Sequence, residues 1–200
     1  MEKVVDFGAL PVVGREAIQE RLLLGLQAAQ RGQGGTLLLS GERGTGKTHI
    51  SRHLREEAER KGFTVAAGRA YRAESGVPYS VFSDAFLPLL RSQPPEALNV
   101  LTRGGAPELE YLFPGLSVTG SPGPRLESES SGEFRTRVLW TFTELLRELS
   151  KRDPLLVVLE DLQWADPSSL EVTHFLARQL AGHRACLLPQ GDGLLVVTQA

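Results

Sequence analysis

Short apolar runs alternate with amphipathic segments along the chain, and this alternation predicts the order of strands and helices. Four runs have the length and composition of buried β-strands: residues 36–39, 63–67, 155–159 and 194–197. Apolar residues at helical spacing predict helices over residues 16–29, 48–61, 81–90 and 134–149. Strands that alternate with helices are typical of a parallel sheet covered by helices. The pattern therefore predicts an α/β fold with four parallel strands.

The middle of the chain is less regular. Proline and glycine recur through residues 94–114, which predicts short helices and loops there. Residues 117–132 are polar and rich in serine, glycine and proline, so they are predicted to form a flexible surface insertion within one domain that spans residues 1–200. Asp166 stands just before Pro167 and is the predicted N-cap of a further helix.

A glycine-rich loop follows the first predicted strand and precedes a predicted helix. It matches G-x-x-x-x-G-K-[ST] with Gly41, Glu42, Arg43, Gly44, Thr45, Gly46, Lys47 and Thr48. Glycines allow backbone N–H groups and the positive end of the helix to surround phosphate oxygens. In such a loop, Lys47 holds the β- and γ-phosphates and the Thr48 hydroxyl binds Mg²⁺. The sequence thus predicts a site for a nucleoside triphosphate with magnesium.

Two acids, Glu160 and Asp161, follow the apolar run at residues 155–159. Open α/β sheets bind ligands at the carboxyl ends of their strands. A phosphate-bound magnesium ion needs a carboxylate nearby, and a water that attacks the γ-phosphate needs a polarising acid. The pair is therefore a candidate for both roles, with the division of labour open. Acids in this position can also serve only as helix caps or solubilising groups.

Composition excludes several other functions. The 22 basic and 24 acidic residues give a formal net charge of −2, so nothing favours nucleic acid as the main partner. Cys186 is the only cysteine, which rules out an intramolecular disulfide and a cysteine-based metal site within the chain, and we expect an unreactive thiol. The four histidines lack metal-ligand spacing. The absence of a run of about 18 apolar residues predicts a cytoplasmic protein without a membrane span.

Four segments of the sequence carry a family resemblance: VVGREAIQERLLLGLQ, GERGTGKTH, YRAESGVPYSVFSDAFLPLLR and LLVVLEDLQWADPSSLEVTHFLARQL. Together they resemble the AAA-type ATPase module of the STAND class of signalling NTPases, over about residues 11–200. Such modules occur in LuxR-type large ATP-binding regulators, in some bacterial adenylate cyclases and protein kinases, and in origin-recognition-like ATPases. The resemblance implies a three-layer P-loop fold, ATP and Mg²⁺ as cofactors, and a regulatory switch.

The same resemblance implies roles for particular residues. Val12, Val13, Gly14 and Arg15 match the family's N-terminal box, whose backbone lies against adenine, although Gly14 and Arg15 also suit a turn into the first helix. Thr198 falls near the end of the family's sensor strand.

The order of the two acids implies that Glu160 joins Thr48 at the magnesium ion and that Asp161 acts in hydrolysis. The family usually has Asp-Glu here, so the inverted order leaves these roles open. Trp164 and Asp166 belong to the same segment of the resemblance. Instead of a role at the site, Trp164 can serve only in packing and Asp166 only as a helix cap.

The expected function is ATP binding with slow hydrolysis in a regulatory switch domain. The chain stops before the family's fifth strand, C-terminal lid and arginine finger, so we expect lid and output domains outside it. Unless the N-terminal segment covers it, the strand at residues 36–39 is then an exposed edge that favours self-association into a homo-oligomer. Two alternatives are a structural module that holds ATP or ADP without turnover, and a DNA-associated initiator or loader ATPase that meets nucleic acid through other domains. GTP is disfavoured because Asn99 is the only asparagine, which excludes an Asn-Lys-x-Asp motif.

Overall fold

The computed structural model describes residues 16–102, 106–116 and 131–192, in which helices alternate with parallel strands. The helices are α1 (Glu16–Gln30), α2 (Lys47–Arg60), α3 (Ser80–Arg91), α4 (Pro95–Thr102), α5 (Ala106–Leu112), α6 (Ser131–Arg152) and α7 (Pro167–Gln179). The strands are β1 (Gly35–Thr36), β2 (Leu39–Ser40), β3 (Thr64–Arg69), β4 (Leu155–Glu160) and β5 (Ala185–Gly191). None of the described helices is long and apolar enough to cross a lipid bilayer.

All strand pairs are parallel, and the strand order is β1-β5-β4-β3, with β2 also paired to β5. β1 and β2 are successive pieces of one extended segment that leads into the glycine-rich loop. Within the described residues this segment pairs on one side only, with β5, so it forms an edge of the sheet as predicted. The long-range pairing brings the carboxyl ends of β2, β4 and β5 to the same edge.

Helices cover both faces of the sheet, because successive side chains of a strand point to opposite faces. Leu156 and Val158 of β4 pack in one apolar cluster with residues of α1 and α2. Leu155, Val157 and Leu159 pack in a larger cluster with residues of α3 to α7. Every residue of β4 is buried, as expected for a central parallel strand. The three-layer α/β fold with a parallel sheet between helices is thus confirmed.

The strand nearest the end of the described chain differs from the prediction. The predicted strand at residues 194–197 lies outside the described residues. A strand that the sequence pattern did not predict, β5, takes the place between the β1/β2 segment and β4. Pro189 concealed it, because proline has no N–H to donate and argues against a central strand. The ladder accommodates Pro189 where residues 37–38 interrupt β1 and β2, between the pairs Thr36↔Leu187 and Leu39↔Gln190.

Most helix boundaries agree with the predictions to within a few residues, and α4 and α5 are the short helices expected in the middle. The start of α6 requires a correction. Ser131 and Gly132 were assigned to the flexible insertion, but they begin α6, and Gly132 O accepts a hydrogen bond of 2.9 Å from Thr136 Oγ1. Polar and acidic residues are favoured at a helix start, so composition alone resembled a loop. The rest of the insertion, residues 117–130, lies outside the described residues.

Candidate functional site

The glycine-rich loop joins the end of β2 to the start of α2. Gly44 and Gly46 have φ angles of 81° and 84°, a left-handed conformation that is readily available only to glycine. Gly46 is the residue before α2 and has no side chain with which to cap it. The positive end of the α2 dipole is therefore left to a ligand, as in a phosphate-binding loop.

The Lys47 side chain folds back over this loop. Its Nζ donates hydrogen bonds of 2.7 Å to Gly41 O and 2.9 Å to Glu42 O, and it lies 2.6 Å from Asp192 Oδ1. An ammonium group has three N–H donors, so these three acceptors account for all of them. Only 8% of the Lys47 side chain is exposed. Phosphates that approach this ammonium group must therefore take the place of one of its present partners.

The two acids at the end of β4 occupy different environments. Glu160 is the last residue of the strand and is 6% exposed. Asp161 follows it with φ 57° and ψ 38°, a left-handed conformation that aspartate tolerates better than most residues. This turn starts the 3₁₀ helix Leu162–Trp164, and 31% of the Asp161 side chain is exposed.

Arg69, the last residue of β3, lies directly opposite Glu160 in the parallel register. Its Nη2 donates to Glu160 Oε2 at 2.6 Å, and its Nε lies 3.4 Å from Asp161 Oδ2. The hydrogen bond to Glu160 raises the pKa of the Arg69 guanidinium, and the charges of Glu160 and Asp161 act in the same direction. Arg69 thus brings a fixed positive charge to both acids.

A cavity of about 580 Å³ opens at this edge of the sheet. It is lined by Arg43, Gly44, Gly46, Lys47, Thr48, His49, Arg52, Asp161, Gln163, Trp164, Gln190 and Asp192. Its lining unites the loop, the first turns of α2, the segment after β4 and the end of β5. Gln190 is fully buried, and within the described residues neither its Nε2 nor its Oε1 has a hydrogen-bond partner. A buried amide without partners next to a cavity is suited to contact a polar ligand.

The described residues have the donor groups that magnesium prefers. Thr48 and Asp161 line the same cavity, and the side chain of each carries oxygen that can bind magnesium. The described part of the chain has no group of three or more His, Cys, Asp or Glu side chains that could hold a metal ion. This donor set fits an ion held largely by nucleotide phosphates and water, with one or two protein ligands.

A model of the AAA ATPase domain matches residues 11–196, almost the whole chain. The chain belongs to the AAA ATPase domain family. Membership agrees with the loop, the strand order and the acids at the end of β4, and it indicates a nucleotide-binding ATPase. No curated protein matches the chain.

The structure of this AAA ATPase domain places the predicted residues unequally. It brings five of the loop residues, from Arg43 to Thr48, together with Asp161 around the cavity, whereas Glu160 is buried and is not among the lining residues. Asp166 accepts a 2.9 Å hydrogen bond from Ser169 N and caps α7 as predicted. The predicted adenine contacts Val12, Val13, Gly14 and Arg15, and the predicted sensor residue Thr198, lie outside the described residues.

Sequence reasoning missed several residues of the AAA ATPase domain site, among them Asp192, Arg69 and Gln163. Asp192 N donates a hydrogen bond to Gln163 Oε1 at 3.1 Å, and Gln163 Nε2 lies 3.5 Å from Asp161 Oδ1. Gln163 thus links the segments after β4 and β5. Trp164 packs under the Arg72 guanidinium, whose carbon lies 5.2 Å from the ring centroid. The position of the missed residues as polar residues at or near strand ends was the signal in the sequence. The strand register that brings them together depends on residues far apart in the chain, so local patterns do not reveal it.

Proposed function

We propose that this AAA ATPase domain binds ATP with magnesium through residues 41–48 and hydrolyses it slowly, as the regulatory switch of a multidomain protein of the STAND signalling class. The observation that carries the proposal is the cavity at the start of α2. There an uncapped helix end, the Lys47 ammonium group, the Thr48 hydroxyl and the Asp161 carboxylate face one space. This set matches the charges and donors of a magnesium-bound triphosphate.

Phosphate binding follows from the hydrogen-bonding groups of the loop. The backbone of Gly44 and Gly46 can approach phosphate oxygens closely, because neither residue carries a side chain. Lys47 then exchanges its contact with Asp192 for a phosphate oxygen and keeps its contacts with the loop carbonyls. The amide of Gln190, which has no partner within the described residues, gains one from the ligand or its water.

Hydrolysis requires a water in line with the γ-phosphate and an acid that orients it. Bound magnesium supplies charge neutralisation for the phosphate oxygens. The acids at the end of β4 are the candidates for the carboxylate that orients this water. Gln163 contacts both Asp161 and the backbone of Asp192, and this contact restrains the Asp161 side chain. Turnover without an arginine finger is expected to be slow, because such a residue contributes about 10³ to 10⁵ in rate in other NTPases. The switch role rests on the family resemblance of the sequence.

Titration with a fluorescent ATP analogue tests the proposal through Lys47→Ala. Hydrogen bonds to charged groups contribute about 1.5 to 3 kcal/mol, so affinity should fall by roughly one to two orders of magnitude. Lys61→Ala is the matched control, since Lys61 is an exposed lysine at the opposite end of α2. Circular dichroism of both variants checks that the fold is retained.

Equal affinity for the wild type and a folded Lys47→Ala variant would show that the loop is not the phosphate site. Competition with unlabelled ATP and GTP in the same assay tests the preference for adenine, and ATP should compete better. Phosphate release separates a slow ATPase from a module that binds ATP or ADP without turnover. If the chain binds Mg-ATP but releases no phosphate, either alone or together with the proposed neighbouring domains, the result would favour a module that binds ATP or ADP without turnover.

A further inference from the structure

The two adjacent acids at the end of β4 both contact Arg69, but they differ in their other surroundings. Leu156, Val158 and Glu160 alternate along β4, and the first two pack against α1 and α2. Glu160 continues this row and reaches Ser51 in the second turn of α2. Asp161 leaves the row because its left-handed backbone turns the chain. Asp161 therefore lines the cavity together with Thr48, whereas Glu160 is not among the lining residues.

Both carboxylate oxygens of Glu160 already have protein partners. Oε1 accepts a hydrogen bond of 2.5 Å from Ser51 Oγ. Oε2 accepts from two nitrogens of Arg69, Nη2 at 2.6 Å and Nε at 3.2 Å. A carboxylate that is 6% exposed and holds three donors has little capacity left for a further ligand.

These contacts join three elements of the fold. Arg69 belongs to β3, Glu160 to β4 and Ser51 to α2. The Glu160 carboxylate therefore links α2, the helix that follows the glycine-rich loop, to the neighbouring strands β3 and β4. If Glu160 turned to a metal ion, the Arg69 guanidinium would lose its main partner. The Glu160 side chain is 7% exposed and the Arg69 side chain 38%, so water screens the pair only in part, and separating it loses a charge-assisted contact.

We propose that Asp161 is the acid that serves the magnesium-bound nucleotide, and that Glu160 is a positioning residue that holds α2 against β3 and β4. This assignment rests on the proposed nucleotide site and departs from the roles that the family resemblance implies, in which Glu160 binds the magnesium ion. It predicts that the dependence of nucleotide affinity on magnesium resides in Asp161.

The experiment compares Glu160→Gln with Asp161→Asn, two substitutions that each replace a carboxylate by an amide of the same shape. A fluorescent ATP analogue is titrated into each variant with excess Mg²⁺ and again with EDTA. The readout is the magnesium ratio, which is the dissociation constant with EDTA divided by the dissociation constant with Mg²⁺. Asp161→Asn should reduce this ratio by about tenfold, the loss of one charge-assisted contact. Glu160→Gln should leave the ratio within about threefold of the wild type while lowering the thermal midpoint of unfolding.

A second pair of variants guards against loss of folding in Glu160→Gln. Arg69→Met alone leaves Glu160 buried without its cation, and Arg69→Met combined with Glu160→Gln removes both charges. We expect the double variant to be more stable than either single variant. Its magnesium ratio should not fall below that of the wild type, because the change at Arg69 removes from Asp161 only a cation that competes with Mg²⁺.

Three outcomes would overturn the assignment. The first is a magnesium ratio that collapses in Glu160→Gln or in the double variant while Asp161→Asn keeps it. The second is a wild-type affinity that does not depend on magnesium, with Lys47→Ala still weakening it, which would leave the nucleotide site in place. The third is a wild type that binds no nucleotide, in which case the proposed function fails as well.

Discussion

The contact between Lys47 and Asp192 leads us to predict that removing the negative charge of Asp192 from the cavity tightens ATP binding. Asp192 follows β5, and its Oδ1 lies 2.6 Å from Lys47 Nζ. In the proposed function, the phosphates of ATP and Asp192 compete for the same ammonium group. Asp192→Asn keeps the shape of the side chain but weakens the competitor, so we expect a higher affinity for ATP.

The magnitude follows from the exposure of the two partners. A charge-assisted hydrogen bond contributes about 1.5 to 3 kcal/mol when it is shielded from water. Lys47 is 8% exposed, but 30% of the Asp192 side chain reaches solvent, which screens the pair. We therefore take about 1 to 1.4 kcal/mol as the free energy that ATP binding has to displace. Because 1.4 kcal/mol corresponds to a factor of ten, Asp192→Asn should lower the dissociation constant by about fivefold to tenfold.

Isothermal titration calorimetry with a non-hydrolysable ATP analogue measures this change directly. Asp153→Asn is the matched control, because Asp153 is exposed at the opposite end of β4 and its removal changes the net charge equally. The gain in ATP affinity from Asp192→Asn should also vanish when Lys47 is already replaced by alanine. A gain that came only from weaker charge repulsion between Asp192 and ATP would persist in that variant. An unchanged or weaker affinity in Asp192→Asn would refute the reasoning and would indicate that Asp192 supports the bound nucleotide instead.

Two further predictions concern stability and reactivity. Asp166→Ala should lower the free energy of unfolding by about 1 to 2 kcal/mol in urea titrations, because Asp166 caps α7 through Ser169 N at 2.9 Å and Ser169 Oγ at 2.5 Å; a change below about 0.3 kcal/mol would contradict this. Burial raises the pKa of the Cys186 thiol to about 12, so a thiol reagent at pH 8 should modify Cys186 only after unfolding, and rapid labelling of the native protein would count against its burial.

The parts of the fold that the sequence predicted well are local ones. The glycine-rich loop, the helix after it and the apolar strand β4 each depend on neighbouring residues, whose spacing is visible in the sequence. The partners of Lys47 and Glu160 are not local. Asp192 is 145 positions from Lys47, and Arg69 is 91 positions from Glu160. Only the parallel register of β3, β4 and β5 brings these charges together, and periodicity does not determine register.

The division between the two acids was also beyond sequence reasoning, for a conformational reason. Adjacent residues of a strand alternate between faces, but Asp161 stands outside β4 in a left-handed conformation. Whether the second acid follows the pleat or turns away depends on the backbone after the strand. The sequence identifies an acidic pair, and the structure separates it into a buried member and a member at the cavity.

The pairing of β1 with β5 has a consequence for the order in which the protein matures on the ribosome. Gly35 and Thr36 find their partners Cys186 and Leu187 about 150 residues later, and translation at about 5 to 20 residues per second needs roughly 8 to 30 s to cover that distance. During this time the strand before the glycine-rich loop lacks β5, its neighbour in the part of the sheet that the structure describes. The cavity that we propose for the nucleotide is therefore completed only when β5 has emerged, and a nascent chain can acquire a ligand there only after nearly all of the described fold has been made.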